Sequence, residues 1–405
     1  MSARHPTFEW TERPGIVRIM AALNAAGPDT ARFVGGCVRD SLLGLVPKDI
    51  DAATRLRPDD TIAALCAAGL RFAPTGLDHG TVTAIADDVT VEVTTLRADI
   101  STDGRRAVVS YTEDWAMDAR RRDFTINALY RSQDGAIFDP TGGLADLKAG
   151  RVKFIGDAGA RIQEDYLRIL RFFRFSGRFT IGALDSAGLA ACKSHVDGIK
   201  RLSAERIGAE LMAIFALERP ADIVGQMAEI GALAAIWPAE PKIDVLGRLK
   251  ATIPDAAPLL CLAALWPVTD DNDGLGSALR LSNVDSRRRV SASRHAGRIP
   301  HLNGRAEVRR AVYEFGADGF CDAVALAIAR EAISVSAGRE ISEISEKDVP
   351  GPFPISGKDV VALGVKRGPE IGAILSAVEK LWIESNFPEE ARVREILAEL
   401  ISTRR

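Results

Sequence analysis

The chain has 405 residues, 47% hydrophobic and 26% charged, with a formal net charge of −3; that is ample apolar content for about two to four cored domains. No run of ~18 apolar residues occurs, which argues against a membrane-spanning helix, and Met1 to Pro14 lack the apolar stretch of a signal peptide. Cys37, Cys66, Cys192, Cys261 and Cys321 are scattered without CxxC spacing, which argues for a reducing cytoplasm and against structural zinc, while the near-neutral charge confines any nucleic-acid surface to a local patch.

The first informative stretch runs Phe33-Val34-Gly35-Gly36-Cys37-Val38-Arg39-Asp40-Ser41-Leu42-Leu43-Gly44, followed at once by Asp49-Ile50-Asp51. The pattern predicts a strand, a paired-glycine turn, a short helix, and a second strand bearing both aspartates. Residues at i and i+2 of a strand share a face, so Asp49 and Asp51 are expected side by side. Paired carboxylates suit Mg²⁺, which usually also takes substrate phosphates as ligands. Gly35 and Gly36 let backbone N–H groups approach a phosphate at a helix start, and Arg39 adds a fork of donors. Together these features point to metal-assisted chemistry on a nucleoside triphosphate.

Val82 to Ile85 and Val89 to Thr94 read as strands joined by a turn at Asp87-Asp88. Glu92 shares its strand face with Thr90 and Thr94. It either faces solvent or joins the two aspartates in a carboxylate trio, accepting the proton of an attacking 3′-hydroxyl. The polar stretch from Arg97 to Thr112, with Gly104-Arg105-Arg106 near its middle, reads as a long mobile loop. In Arg120-Arg121-Arg122-Asp123-Phe124-Thr125-Ile126-Asn127, three arginines precede an expected helix start. Clustered cations of this kind call for an anion. Asp123 is the expected cap, and Asn127, one turn on, is placed to bond a ribose. Asp134-Gly135 marks a further hairpin, and Gly142-Gly143 a break.

Beyond Arg161 the pattern is helical, with Ser203 as the expected N-cap of one helix. Glu164-Asp165-Tyr166-Leu167-Arg168-Ile169-Leu170-Arg171-Phe172-Phe173-Arg174-Phe175 would place Asp165, Arg168, Arg171 and Arg174 in one row at i,i+3 spacing, with aromatic residues on a core face. Cytosine and adenine each present an amino donor beside a ring-nitrogen acceptor. A carboxylate and an arginine complement that pair, whereas uracil and guanine reverse it. A buried mismatch costs roughly 1–3 kcal/mol per unsatisfied group, so an Asp/Arg pair can select CTP and ATP without a template strand.

These runs, in this order, resemble the signatures of the class II tRNA nucleotidyltransferase and bacterial poly(A) polymerase family, within the polymerase-beta-like superfamily. The resemblance is clear over about residues 30–240. It implies an α+β nucleotidyltransferase head with a mixed sheet (1–156), then an all-α neck (157–240), body (241–347) and tail (348–405). It further implies that Arg122 contacts triphosphate or ribose, that Asp165 and Arg168 read the base, and that Arg171 and Arg174 contact phosphate or RNA. Glu164 would orient Arg168, and the run from Phe138 to Leu147 would brace head against neck. Asp49 and Asp51 would hold two Mg²⁺ ions.

The implied reaction adds CCA from CTP and ATP to the tRNA acceptor arm in the cytoplasm, with no membrane or obligatory protein partner. Residues 151–210 carry 11 Lys and Arg against 7 Asp and Glu, a patch suited to that arm. Lys200-Arg201, Arg287-Arg288-Arg289 and Arg309-Arg310 either extend the track or are plain surface. Poly(A) addition and partial CC- or A-addition share the same head; the lack of a long basic tail after Ala391 to Ile401 favours CCA. A silent RNA-binding protein would have no need of Asp49, Asp51 and Arg122.

Overall fold

The computed structural model describes residues 7–103, 106–268, 274–347 and 349–403. The chain forms two compact units, Met1–Leu217 with Ile223–Pro238, and Glu218–Asp222 with Ala239–Arg405. In the first unit the strands are β1 (Ala31–Val34), β2 (Asp51–Thr54), β3 (Arg71–Gly76), β4 (Thr81–Ala86), β5 (Val89–Thr95), β6 (Arg97–Asp103), β7 (Arg106–Tyr111), β8 (Tyr130–Arg131) and β9 (Ile137–Phe138). Seven of them make a mixed sheet of order β3-β4-β5-β2-β1-β8-β9, in which β2 and β5 run parallel and the other neighbours antiparallel. Val89, Val91 and Val93 of β5 are buried while Thr90 and Glu92 face outward, the alternation of a sheet covered on one side. Helices α1 (Pro14–Leu23) and α3 (Pro58–Ala67) supply that cover on β4 and β5.

Between β1 and α2 (Gly36–Leu42) the chain turns at Gly35, whose φ of 74° is open to glycine at little cost. The expected Asp87-Asp88 hairpin joins β4 to β5, with Asp87 at φ 52°. The stretch from Arg97 to Thr112 differs from its reading as a loop. It pairs as the antiparallel ribbon β6–β7, Arg97 opposite Tyr111, with Gly104 and Arg105 outside the described residues. The helix expected after Asp123 is a single 3-10 turn, Thr125–Asn127, between α4 (Trp115–Arg120) and β8. Gly143 opens α5 (Gly143–Lys148) hard against that turn: a Cβ there would lie 2.2 Å from the Thr125 carbonyl oxygen. The carboxylate of Asp139 accepts from Gly143 N–H and Leu144 N–H, and Asp146 accepts from Thr125 Oγ1.

Helices α6 (Ala158–Glu164), α7 (Leu167–Phe179), α8 (Ser186–Ser194) and α9 (Ala204–Phe215) complete the part of this unit that bears on the site. Ser203 caps α9 as expected, accepting from Arg206 N–H. On α7 the rings of Phe172, Phe173, Phe175 and Phe179 are buried, and Phe154 stacks on Phe172 with Phe124 tilted against both in a continuous aromatic core. Arg168, Arg171, Arg174 and Arg178 occupy its other face.

The second unit is helical among its described residues. One core gathers Phe320, Val308 and Val312, and another gathers Trp382, Val378 and Val393. Two of the basic runs are spent here on internal bonds. Arg289 is buried and donates to Trp266 O, Arg288 pairs with Asp322, and Arg309 and Arg310 donate to carbonyls of Asn386 and Glu384. No helix of the described residues is long and apolar enough to cross a membrane.

Candidate active site

Gly36, Arg39, Asp49, Asp51, Arg122, Asn127, Asp165, Arg168, Arg171 and Arg174 all line one cleft of about 690 Å³ in the first unit. Glu92 is the exception. The parallel register sets it beside Asp51 on β5, exposed and outside the cleft lining. Strand β2 begins at Asp51, so Asp49 sits in the bend before it and the two aspartates do not share a strand face as expected. They reach the same cleft because the chain bends between Pro47 and Ile50 before entering the sheet. Burial, then the Glu92 carboxylate, push the Asp51 carboxyl up to about 6 against the pull of Arg122, with Asp49 adding to the rise. Acids crowded in this way favour a cation. Among the described residues no group of three or more His, Cys, Asp or Glu side chains is arranged to hold a metal. A divalent ion on Asp49 and Asp51 would therefore complete its shell from substrate oxygens and water, which fits the habit of Mg²⁺.

Arg39 is buried. Its Nε donates to Asp40 at 2.8 Å and its Nη1 to the Asn127 side-chain oxygen. Asn127 in turn donates to Asp123 Oδ1 at 3.0 Å, and Asp123 Oδ2 accepts from Arg171 at 2.6 and 2.8 Å. Asp123 thus caps no helix. It joins the 3-10 turn to α7, and Arg171 and Asn127 outweigh the effect of burial and hold its carboxyl below the usual range. Arg174 pairs with Glu210 of α9 at 2.6 Å.

The row expected from Asp165 to Arg174 is broken at its first member. Asp165 is extended (φ −155°, ψ 106°) between α6 and α7, where its Oδ1 accepts the otherwise unpaired N–H of Leu167 at 3.1 Å. Its Oδ2 accepts from Arg206 at 2.7 Å. Arg168 begins the intact row; it pairs with Glu164, as expected, and donates to Arg161 O at 2.6 Å.

Five partners escaped the reading of the sequence. Asp118 accepts from Arg121, Arg122, Tyr130 OH and Arg97 N–H, and these donors overcome its burial to hold its carboxyl down at about 2. Tyr130 and Asp118 likewise push Arg122 up although burial alone would lower it. Arg161 binds Glu164 and the carbonyls of Arg121 and Arg122. Glu210 and Arg206 complete the set. The i−4 spacing of Asp118 from Arg122 and the i,i+3 spacing of Arg161 and Glu164 were local signals; Arg206, Glu210 and the carbonyls bound by Arg161 lie far along the chain from the groups they meet.

Residues 31–153 match the family model described as "Poly A polymerase head domain", and residues 183–241 match "Probable RNA and SrmB- binding site of polymerase A". The mitochondrial CCA tRNA nucleotidyltransferase 1 of Mus musculus is 34% identical over 397 residues, covering 96% of this chain and 91% of the relative. The chain belongs to the CCA-adding enzyme and poly(A) polymerase family of nucleotidyltransferases. The CCA-adding enzyme of Levilactobacillus brevis is 30% identical over 394 residues, covering 92% of this chain and 94% of the relative. Among solved structures, the Bacillus stearothermophilus CCA-adding enzyme in complex with CTP has a TM-score of 0.74 at 24% identity, covering 97% and 99% of the two chains. The Thermotoga maritima CCA-adding enzyme complexed with tRNA has a TM-score of 0.66 at 19% identity, covering 95% and 94%. Both share the α+β head and helical remainder.

Proposed function

We propose that this protein adds CCA to the 3′ end of tRNA from CTP and ATP, without a nucleic-acid template and with release of pyrophosphate. The observation that carries the reading is the meeting of Asp165 and Arg168 with Asp49 and Asp51 along one cleft. A base reader and an acidic pair then act on the two ends of one nucleotide. The near-full-length relatives that are CCA-adding enzymes favour CCA over poly(A) addition.

In this reading Gly35 and Gly36 admit the triphosphate to the start of α2, and Arg122 neutralises it while held in place by Asp118. The Asp165 carboxylate accepts the amino group of cytosine or adenine, and Arg168 donates to the ring nitrogen. Glu164 keeps the Arg168 guanidinium in plane with that edge. The clamp on both oxygens of Asp165, from Leu167 N–H and Arg206, leaves one lone pair on each for the base. Asp49 and Asp51 would hold Mg²⁺, which when bound neutralises the phosphates and lowers the barrier to attack by the 3′-hydroxyl on the α-phosphate. Glu92 acts through Asp51, its neighbour across the sheet. The acceptor arm lies against the basic neck, the head spans 1–156, the neck 157–240, and body and tail follow. All five cysteines are free, which suits the cytoplasm.

The test is incubation with tRNA lacking its 3′ end, with CTP, ATP, UTP and GTP singly and together, and sequencing of the products. The expected product is a three-nucleotide CCA end. Long adenosine runs on unstructured RNA with poor use of CTP would replace this reading with poly(A) addition.

A further inference from the structure

Three guanidiniums of the cleft share one aromatic ring. The Cζ atoms of Arg174, Arg171 and Arg39 lie 4.4, 5.1 and 5.3 Å from the centroid of Phe175, all within cation–π range. Phe175 itself lines the cleft and is only 7% exposed. Behind, its ring meets Phe124 at 5.4 Å and Phe179 at 6.0 Å, which ties it to the rigid aromatic core.

Bringing three cations onto one ring is costly unless the charge is balanced. Each arginine has an acid from a different part of the unit: Asp40 of α2 for Arg39, shared with Arg178; Asp123 for Arg171; and Glu210 of α9 for Arg174, which also lies 3.7 Å from Arg171. The acids fix the guanidiniums from the outside and the Phe175 ring from the centre, with Arg39 also held 4.3 Å from the ring of Phe179. Nε and Nη2 of Arg174 serve Glu210, and among the described residues its Nη1 has no protein partner, so a donor remains for an incoming anion.

We propose that Phe175 is a positioning residue for the phosphates of the nucleotide: its π-face gathers Arg39, Arg171 and Arg174 into one anion-binding floor. The inference rests on the functional reading above and deepens it. A leucine at this position keeps most of the apolar volume and removes the quadrupole; a tyrosine keeps both.

The experiment compares Phe175→Leu and Phe175→Tyr with the parent protein, first confirming by thermal unfolding that each is folded. Phe175→Leu is expected to raise KM for CTP and ATP alike by about tenfold, with kcat falling less than about threefold. Discrimination against UTP and GTP should stay unchanged, because Asp165 and Arg168 are untouched. Phe175→Tyr should restore KM. Direct binding of inorganic tripolyphosphate should weaken by the same factor in Phe175→Leu. A folded Phe175→Leu protein with parental KM and tripolyphosphate affinity would overturn the inference, as would a Phe175→Tyr protein no better than Phe175→Leu. If the parent adds no nucleotides to tRNA yet Phe175→Leu still loses tripolyphosphate affinity, the functional reading fails and the inference about the floor stands. A parent protein that binds no tripolyphosphate overturns the inference.

Discussion

Asp118→Asn removes one charge from the most heavily solicited carboxylate in the first unit. The side chain of Asp118 is 1% exposed and accepts from Arg121 at 2.6 Å, Tyr130 OH at 2.7 Å, and Arg122 and Arg97 N–H at 3.2 Å. Its carboxyl is held near 2 against an ordinary 3.8; at 1.36 kcal/mol per pH unit, the native state favours its charged form by about 2 kcal/mol. Asparagine still accepts from Tyr130 but leaves two partly buried guanidiniums without their counter-ion, so the loss should reach about 2–4 kcal/mol. Thermal unfolding at pH 7 should show a midpoint about 5–10 °C below the parent. The pH dependence has a definite sign. A folded-state value below the unfolded one contributes stability that is full above about 4 and disappears as pH falls toward 2. About half of it is gone by pH 3. The gap between parent and variant should therefore close on acidification. A variant within 1 °C of the parent at pH 7, or a gap that stays constant down to the lowest pH at which both fold, would refute the reasoning.

Asp49→Ala and Asp51→Ala should each abolish nucleotide addition in single-turnover assays while tRNA retention on filters stays near the parent level; chelation of divalent ions should do the same to the parent. Near-normal incorporation by either variant removes the acid pair from the chemistry. Asp165→Ala and Arg168→Ala should let UTP and GTP compete, with discrimination against them falling by about tenfold or more, since each mismatch is worth ~1–3 kcal/mol; relative incorporation of the four nucleotides decides this, and unchanged ratios count against both residues. Gly143→Ala forces a Cβ to 2.2 Å from the Thr125 oxygen and 2.8 Å from its carbonyl carbon. Backbone cannot swing aside as a side chain does, so a loss of about 1–3 kcal/mol in stability and a raised KM for nucleotide are expected. Parental unfolding and KM would show that the turn carrying Asn127 is not held by this contact.

The chain's own order determined what is local. Gly35 meets a positive-φ turn that side chains avoid, Asp87-Asp88 closes a hairpin between two alternating strands, Ser203 caps a helix, and the arginines from Arg168 to Arg178 fall on one helical face by spacing alone. Such features depend on φ, ψ and on a period of a few residues, which adjacent residues set between them. Site membership was legible for the same reason, because the glycines, acids and arginines cluster in short runs. The partners of Arg171, Arg174 and Arg178 were decided only by tertiary structure. Arg178 meets Asp40 across 138 residues, Arg171 meets Asp123 across 48, and Arg174 meets Glu210 across 36, so no periodicity links them. The same holds for Asp165. Its neighbours are compatible with a continuous helix, yet Arg206 from α9 and the first N–H of α7 hold its carboxylate where the chain leaves the helical path. Glu92 is the opposite case: alternation set it across β5 from the buried valines and left open whether it met solvent or the site, and only the parallel register with β2 brought it beside Asp51. Local sterics write the elements; charges and rings that meet after the elements pack choose the geometry of the site.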